Sequence, residues 1–208
     1  MGAYPAAMTN FLDKAYQARD AASTRALYDD WAASYEAEVG ENGYATPGRC
    51  AEALKAQVTD LTAPILDFGC GTGLSGLALK LAGFEAIDGV DLSAEMLDVA
   101  RAKHVYRHLD QIEAGAPLPR TDYMAMSAIG VIGAGAAPID VLHTLMRALP
   151  STGKLVFSFN DHALEDPVNE GGVSMWTDGG DARLVFKEHG DHLPGINLKS
   201  TVYVLEKA

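Results

Sequence analysis

The residues best suited to chemistry are concentrated in ILDFGCGTGLSG, residues 65–76, where two glycine patterns overlap. Gly71, Gly73 and Gly76 spell G-x-G-x-x-G, a turn whose backbone amides suit a phosphate. Asp67, Gly69, Gly71 and Gly73 spell D-x-G-x-G-x-G, a similar turn led by a carboxylate, which suits a ligand carrying positive charge. A second acid, Asp91, stands in DGVDLSAEM, and a polar cluster of Asn160, Asp161 and His162 stands in SFNDHALED. Tyr28, Trp31 and Tyr35 repeat at i, i+3 and i+7, so a helix there carries three rings on one face. Cys70, inside the turn, is open to two readings: a nucleophile, or a small residue filling a crowded turn. His104 and His108 have helical i, i+4 spacing but no third ligand nearby, so no metal is expected.

Period and punctuation give the elements that must position these residues. Helical patterns run over about 8–19, 24–39 and 47–59, with Thr46 read as the N-cap and Pro47 as the first-turn proline of the third. PILDFG is a short buried strand, and LSGLALKLAGF follows as a helix with Leu74, Leu77 and Leu81 on one face and Gly83 as its stop. EAIDGVDLS is the second strand, and Ser93 caps a helix reaching about Ala102. HVYRHLDQI and DYMAMSAIGVI read as strands three and four, PIDVLHTLMRAL as a helix, and GKLVFSF as strand five. ARLVFKEHG and LKSTVYVLEK lie too close together for a helical crossover and predict an antiparallel hairpin. The stretch 165–181, EDPVNEGGVSMWTDGGD, reads as irregular. Strands alternating with helices predict an α/β fold: a doubly wound, Rossmann-like, seven-stranded sheet, mostly parallel with a C-terminal antiparallel hairpin, and helices on both faces. Residues 61–208 form the core of this single domain, and residues 1–60 form a helical lid segment ahead of it.

In such a sheet the ligand sits beyond the C-terminal ends of the strands. A dinucleotide fingerprint starting at Gly69 fails, because its third glycine is Leu74. One starting at Gly71 needs a longer turn and sets Asp67 near a doubly anionic pyrophosphate. Like charges there repel by several kcal/mol at an effective dielectric near 20, whereas an ammonium is attracted by as much. Asp91, at the tip of strand two, can accept from both hydroxyls of a ribose. NAD and S-adenosylmethionine both carry that ribose; Asp67 and the short GCGTG turn favour the latter, whose other end carries an ammonium and a sulfonium.

ILDFGCGTG followed by GVDLSAEML resembles the first two motifs of class I S-adenosylmethionine-dependent methyltransferases. Within that class, YDDWAASYEAEV, FNDHALEDP and HLPGINLKSTVYVLEK resemble the Williams–Beuren-region methyltransferase-like proteins and their bacterial relatives. The resemblance implies that the cofactor, with S-adenosylhomocysteine as its product, is held by the turn Asp67, Phe68, Gly69, Cys70, Gly71, Thr72 and Gly73. Asp67 faces the methionine end and Asp91 the ribose, with Leu92 and Met96 flanking the adenine. Gln111 and Ile112 add an adenine contact, with Asp110 and Glu113 as rivals for it. Tyr28, Trp31 and Tyr35 either close over the methionine end or simply dock their helix on the core.

Methyl transfer is an in-line displacement that positioning alone can accelerate, and a base is needed only for a protonated acceptor. The strand-four exit, SAIGVIGAGAAP, carries no acid or histidine, so Ser127 and Ile129 shape the pocket. His162 is a candidate base with Asn160 and Asp161 beside it; helix capping by Asn160 or Asp161 with a solvated histidine is the competing reading. With 28 acidic against 16 basic residues, the net charge of −12 opposes phosphate binding and disfavours nucleic acid as a partner. No signal sequence or spanning helix is legible in the 208 residues, so a cytoplasmic protein without membrane contact is expected. Two cysteines make no disulfide framework. The leading expectation is a methyltransferase acting on a small-molecule substrate, its oligomeric state open. A binding module without turnover and an NAD(P)-dependent oxidoreductase are the alternatives.

Overall fold

The computed structural model describes residues 21–133 and 136–208. Helices α1 (Ala21–Trp31), α2 (Tyr35–Glu41) and α3 (Thr46–Lys55) precede the sheet. There follow β1 (Ile65–Phe68), α4 (Leu74–Ala82), β2 (Ile87–Asp91), α5 (Ala94–Ala102), β3 (His108–Gln111) and β4 (Ala125–Ala128). The chain ends with α6 (Asp140–Ala148), β5 (Lys154–Asn160), α7 (Asp161–Leu164), α8 (Pro167–Asp178), β6 (Ala182–Leu193) and β7 (Leu198–Lys207).

The seven strands run in the order β3-β2-β1-β4-β5-β7-β6, with β1 to β5 parallel and β7 antiparallel to both of its neighbours. This is the expected fold, with the winding reversing between β1 and β4. Strand β4 is wholly buried and β1 and β2 nearly so, as strands covered on both faces must be. Leu54, Leu79 and Phe84 pack one face of the sheet; Leu142, Leu145 and Met146 pack the other. No helix among the described residues is long and apolar enough to cross a membrane.

Several local expectations are corrected. The pattern over 8–19 lies outside the described residues. The helix expected over 24–39 is two helices, because a tight turn in which Ser34 N donates to Trp31 O (3.0 Å) interrupts it. Thr46 is no cap: Ala45 holds that place, and the buried Thr46 hydroxyl turns instead to the last strands. In α4 the inward residues include Ser75, Gly76 and Leu79, while Leu77 and Leu81 face outward, Leu81 at 80% exposure. The stretch 165–181, read as irregular, contains the 12-residue α8. Asp166 caps this helix through Val168 N (3.0 Å), and Pro167 opens it. A β-carbon on Gly172 would lie 2.5 Å from Ile139 Cγ1, so its glycine serves close packing on α6's approach and not a loop.

Candidate functional site

After Phe68 the chain turns through Gly69, Gly71 and Gly73, all at positive φ (67°, 51° and 92°), before α4 begins at Leu74. A β-carbon on Gly71 would meet nothing within 4 Å, so the backbone there lies open to a ligand. Gly76 has a different task. A β-carbon there would lie 2.2 Å from Tyr106 Oη, which accepts from Gly76 N (3.1 Å) and donates to Asp67 Oδ2 (2.8 Å). The third glycine of the G-x-G-x-x-G frame thus makes room for a tyrosine and touches no anion site.

Asp67 is fully buried beneath this turn. Its Oδ2 accepts from Ser75 (2.6 Å) and Tyr106 (2.8 Å), and its Oδ1 accepts from Ser127 (2.8 Å). Burial raises its pKa to about 6, although all three hydroxyls favour the charged form. Neither Asp67 nor Ser127 lines the neighbouring cavity, so what reaches a ligand from Asp67 is the field of its charge. Asp91 does line it. Its Oδ2 accepts from Gly71 N (2.8 Å) and its Oδ1 from Ser93 N (2.9 Å), and each oxygen keeps further acceptor capacity. The acid at the tip of β2 therefore also braces the turn after β1.

The cavity, about 700 Å³, lies at the reversal point of the winding, and its size falls within the roughly 300–1,000 Å³ of small-molecule sites. Phe68, Gly69, Cys70, Gly71 and Thr72 form one wall; Leu92, Met96 and Ile112 form another. Gly73 stands behind the turn as the residue preceding α4. Gln111 is not on the wall: its Nε2 donates to Leu92 O (2.9 Å) and so fastens the β2 exit. Asp110 pairs with Arg120 (2.7 Å), while Glu113 lines the cavity and pairs with Arg25 of α1 (2.6 Å). Tyr28 and Tyr35 line the cavity too, whereas Trp31, 2% exposed, is packed with Val39, Met96 and Leu193. Trp31 is thus an anchor that also borders a smaller neighbouring cavity, while Tyr28 and Tyr35 face the larger one as well. Burial raises the Cys70 thiol pKa, which keeps it protonated and favours the space-filling reading.

Two buried polar atoms on the cavity wall, Thr72 Oγ1 and Arg25 Nε, have no hydrogen-bond partner among the described residues. Buried polar groups are almost always satisfied, so a polar ligand fits there. The open Gly71 backbone, the spare acceptor capacity of Asp91 and these two atoms together suit a nucleoside joined to an amino acid.

A smaller cavity of about 70 Å³ adjoins the first across Tyr28, Tyr35 and Tyr44. Its lining includes Ser158, Asn160 and His192. Of Asn160, Asp161 and His162, Asn160 alone is in the described lining of these two cavities, and its Oδ1 caps α7 through Ala163 N (2.9 Å). Asp161 accepts from Lys199 N (3.1 Å), and His162 is exposed, 3.8 Å from Glu165. The capping reading therefore describes this cluster better than the base reading.

The histidine that does line a cavity, His192, was not foreseen. Strand β6 shifts register between Asp191 and Leu193, and this irregularity buries His192 and Leu193 in succession. Period-two reading misses such a residue. His192 Nδ1 lies 2.8 Å from Thr46 Oγ1, and Thr46 Oγ1 lies 2.8 Å from Ser200 Oγ. Burial lowers its pKa to about 4, so the imidazole is neutral near pH 7.

A family model described as a methyltransferase domain matches residues 43–199. Human Methyltransferase-like protein 27 is 31% identical over 136 residues, which make up 63% of this chain and 56% of that protein. The chain thus spans about half the length of that relative. Among solved structures, an S-adenosylmethionine-dependent methyltransferase from Mesorhizobium loti has a TM-score of 0.56 at 16% identity, covering 74% of this chain and 96% of its own. Magnesium protoporphyrin IX methyltransferase from Synechocystis, solved with bound S-adenosylhomocysteine, has a TM-score of 0.56 at 14% identity, covering 77% and 83%. At those identities the structural likenesses carry the fold.

Proposed function

The chain belongs to the methyltransferase-domain family, and from that premise we propose that it transfers a methyl group from S-adenosylmethionine to a small-molecule acceptor. The observation that carries this reading is the Gly71 turn, open to the cavity and held between a buried carboxylate, Asp67, and a lining one, Asp91. In this reading Asp91 accepts from the ribose hydroxyls, and Leu92, Met96 and Ile112 enclose the adenine. The Asp67 charge attracts the ammonium and sulfonium end. When bound, the cofactor supplies an electrophilic methyl group, and the chain's residues align the acceptor with it and exclude water. At the β4 exit Ile129 and Val131 are apolar and leave Asp140 as the carboxylate on that side of the lining, so in this reading positioning of the acceptor carries the acceleration.

Of the lid segment expected over residues 1–60, α3 packs on the sheet as core, so in this reading the lid is the chain ahead of it, whose described part reaches the cavity through Tyr28 and Tyr35 and is latched by the Arg25–Glu113 pair. The net charge of −12 and a cavity of about 700 Å³ favour a small acceptor over a nucleic acid.

A thermal-shift comparison of S-adenosylmethionine, S-adenosylhomocysteine, NAD and NADP tests the reading. Either S-adenosyl ligand, at about 100 times its Kd, should stabilise the fold by roughly 2.7 kcal/mol. A shift with NAD and none with either S-adenosyl compound overturns it. S-adenosylhomocysteine should also slow amide exchange in α1, and exchange there that is slow with or without ligand removes the lid.

A further inference from the structure

The hydrogen-bond chain behind His192 has a direction. Arg49 can only donate, and its Nη1 donates to Ser200 Oγ (3.1 Å). Ser200 is fully buried, and the other side-chain neighbour of its Oγ is Thr46 Oγ1, at 2.8 Å. Satisfying every group in turn sends the Ser200 proton to Thr46 and the Thr46 proton to His192 Nδ1. The imidazole of His192, kept neutral by burial, therefore carries its own proton on Nε2, the nitrogen left to the cavity. Asn160 is oriented by an independent contact. Its Oδ1 is fixed at Ala163 N, which leaves the Nδ2 amide as the group it can offer. No acidic residue is among the described lining of this cavity. The larger cavity beside it contributes apolar lining from Ile129, Val131, Pro138 and Val141, with Asp140 and Thr144 as the polar residues among them.

We infer that the smaller cavity is the acceptor's recognition site, and that it takes a carbonyl or carboxylate oxygen of an apolar small molecule through His192 Nε2–H and Asn160 Nδ2–H. The inference rests on the reading of the larger cavity as the S-adenosylmethionine site. It assigns these two residues a role in specificity, with no proton transfer to either.

Benzoate, acetophenone and benzylamine form a size-matched panel, each titrated calorimetrically with and without saturating S-adenosylhomocysteine. Benzoate and acetophenone should bind about tenfold or more tightly than benzylamine. Asn160→Asp keeps a capping oxygen for α7 and replaces the donor with an acceptor, so binding of the two oxygen probes should fall by about tenfold while S-adenosylhomocysteine affinity holds. His192→Phe, which keeps a ring at this place and removes the Nε2 donor, should produce the same loss. Benzylamine binding as well as benzoate, no binding of either oxygen probe, or variants that leave the preference unchanged would each overturn the assignment. Failure of S-adenosylhomocysteine to bind, with the probe preference intact, would instead overturn the cofactor reading.

Discussion

The two ends of the paired cavities are built in opposite ways. At the β1–β2 end, carboxylates dominate, and their contacts are shorter in sequence: Gly71 to Asp91, and Ser75, Tyr106 and Ser127 to Asp67, span at most 60 residues. At the β5–β7 end, neutral N–H donors dominate, and the contacts span the chain, with Thr46 meeting His192 and Ser200 across 146 and 154 residues. One end suits cationic and hydroxyl-bearing groups; the other suits acceptor oxygens. A fold that holds a common cofactor with local sequence and its acceptor with distant strands can change the second without disturbing the first.

The largest expected effect tests the local end. Asp91→Ala removes the acceptor proposed for the ribose and also the brace on Gly71 N and Ser93 N. Loss of a charged acceptor weakens binding by roughly 1.5–3 kcal/mol, so S-adenosylhomocysteine affinity should fall about ten- to a hundredfold by calorimetry. The oxygen-probe preference at the other end should survive. If affinity holds in a folded Asp91→Ala protein, the β2 tip is not the ribose site.

A smaller effect follows from Asp67. Its folded pKa of about 6 lies above the ordinary 3.8, so between those values the folded state binds more protons than the unfolded one. The group's contribution to stability is present below about pH 3.8 and is lost as pH rises through 6. Asp67→Asn removes that dependence. Its amide can donate to Ser127 Oγ, whose hydroxyl then turns to Leu66 O, 3.4 Å away. The variant should gain on the parent as pH rises from 4 to 7, by roughly 2–3 kcal/mol at most. Its S-adenosylhomocysteine affinity should fall about tenfold, because the ligand's ammonium loses a buried countercharge. Melting curves and titrations across that pH range measure both, and a variant that keeps full affinity would place the ligand beyond the field of Asp67.

The contrast between the ends also explains what the sequence disclosed. The sheet, its hairpin and the residues of the turn were legible because strand, glycine turn and capping signals are local; Ser93 caps α5 through Met96 N as its sequence suggests. Asp67 was legible as an acid beside the turn but not as one sealed by three hydroxyls, since Tyr106 comes from HVYRHLDQI, which reads as a strand and carries no sign of meeting the turn. Helix α8 was hidden by Gly171 and Gly172, of which Gly172 sits where Ile139 approaches closely while Gly171 faces open space. His162 drew notice for standing at a strand's C-terminal end, yet the histidine facing a cavity is His192, turned inward by a register shift that leaves no local sign.

The smallest effect on the ligands is also the sharpest test of the distant end. Thr46→Val is nearly isosteric but removes the hydroxyl joining Ser200 to His192, both buried. In the parent protein, nitrogen-15 NMR of His192 should show Nε2 protonated and Nδ1 bare from about pH 5.5 upward, since burial lowers its pKa to about 4. The unfolded chain takes up this proton near pH 6.5 and the folded one near 4, so the parent should lose stability as pH falls between those values. In Thr46→Val the Nδ1 acceptor loses its donor, which lowers stability by about 1–3 kcal/mol and frees the ring proton to occupy either nitrogen. Binding of benzoate and acetophenone should then weaken a few-fold, while S-adenosylhomocysteine binds as before. A parent signal with the proton on Nδ1 would reverse the direction of the chain from Arg49, leave Nε2 as an acceptor, and give the smaller cavity to a donor group instead of an oxygen.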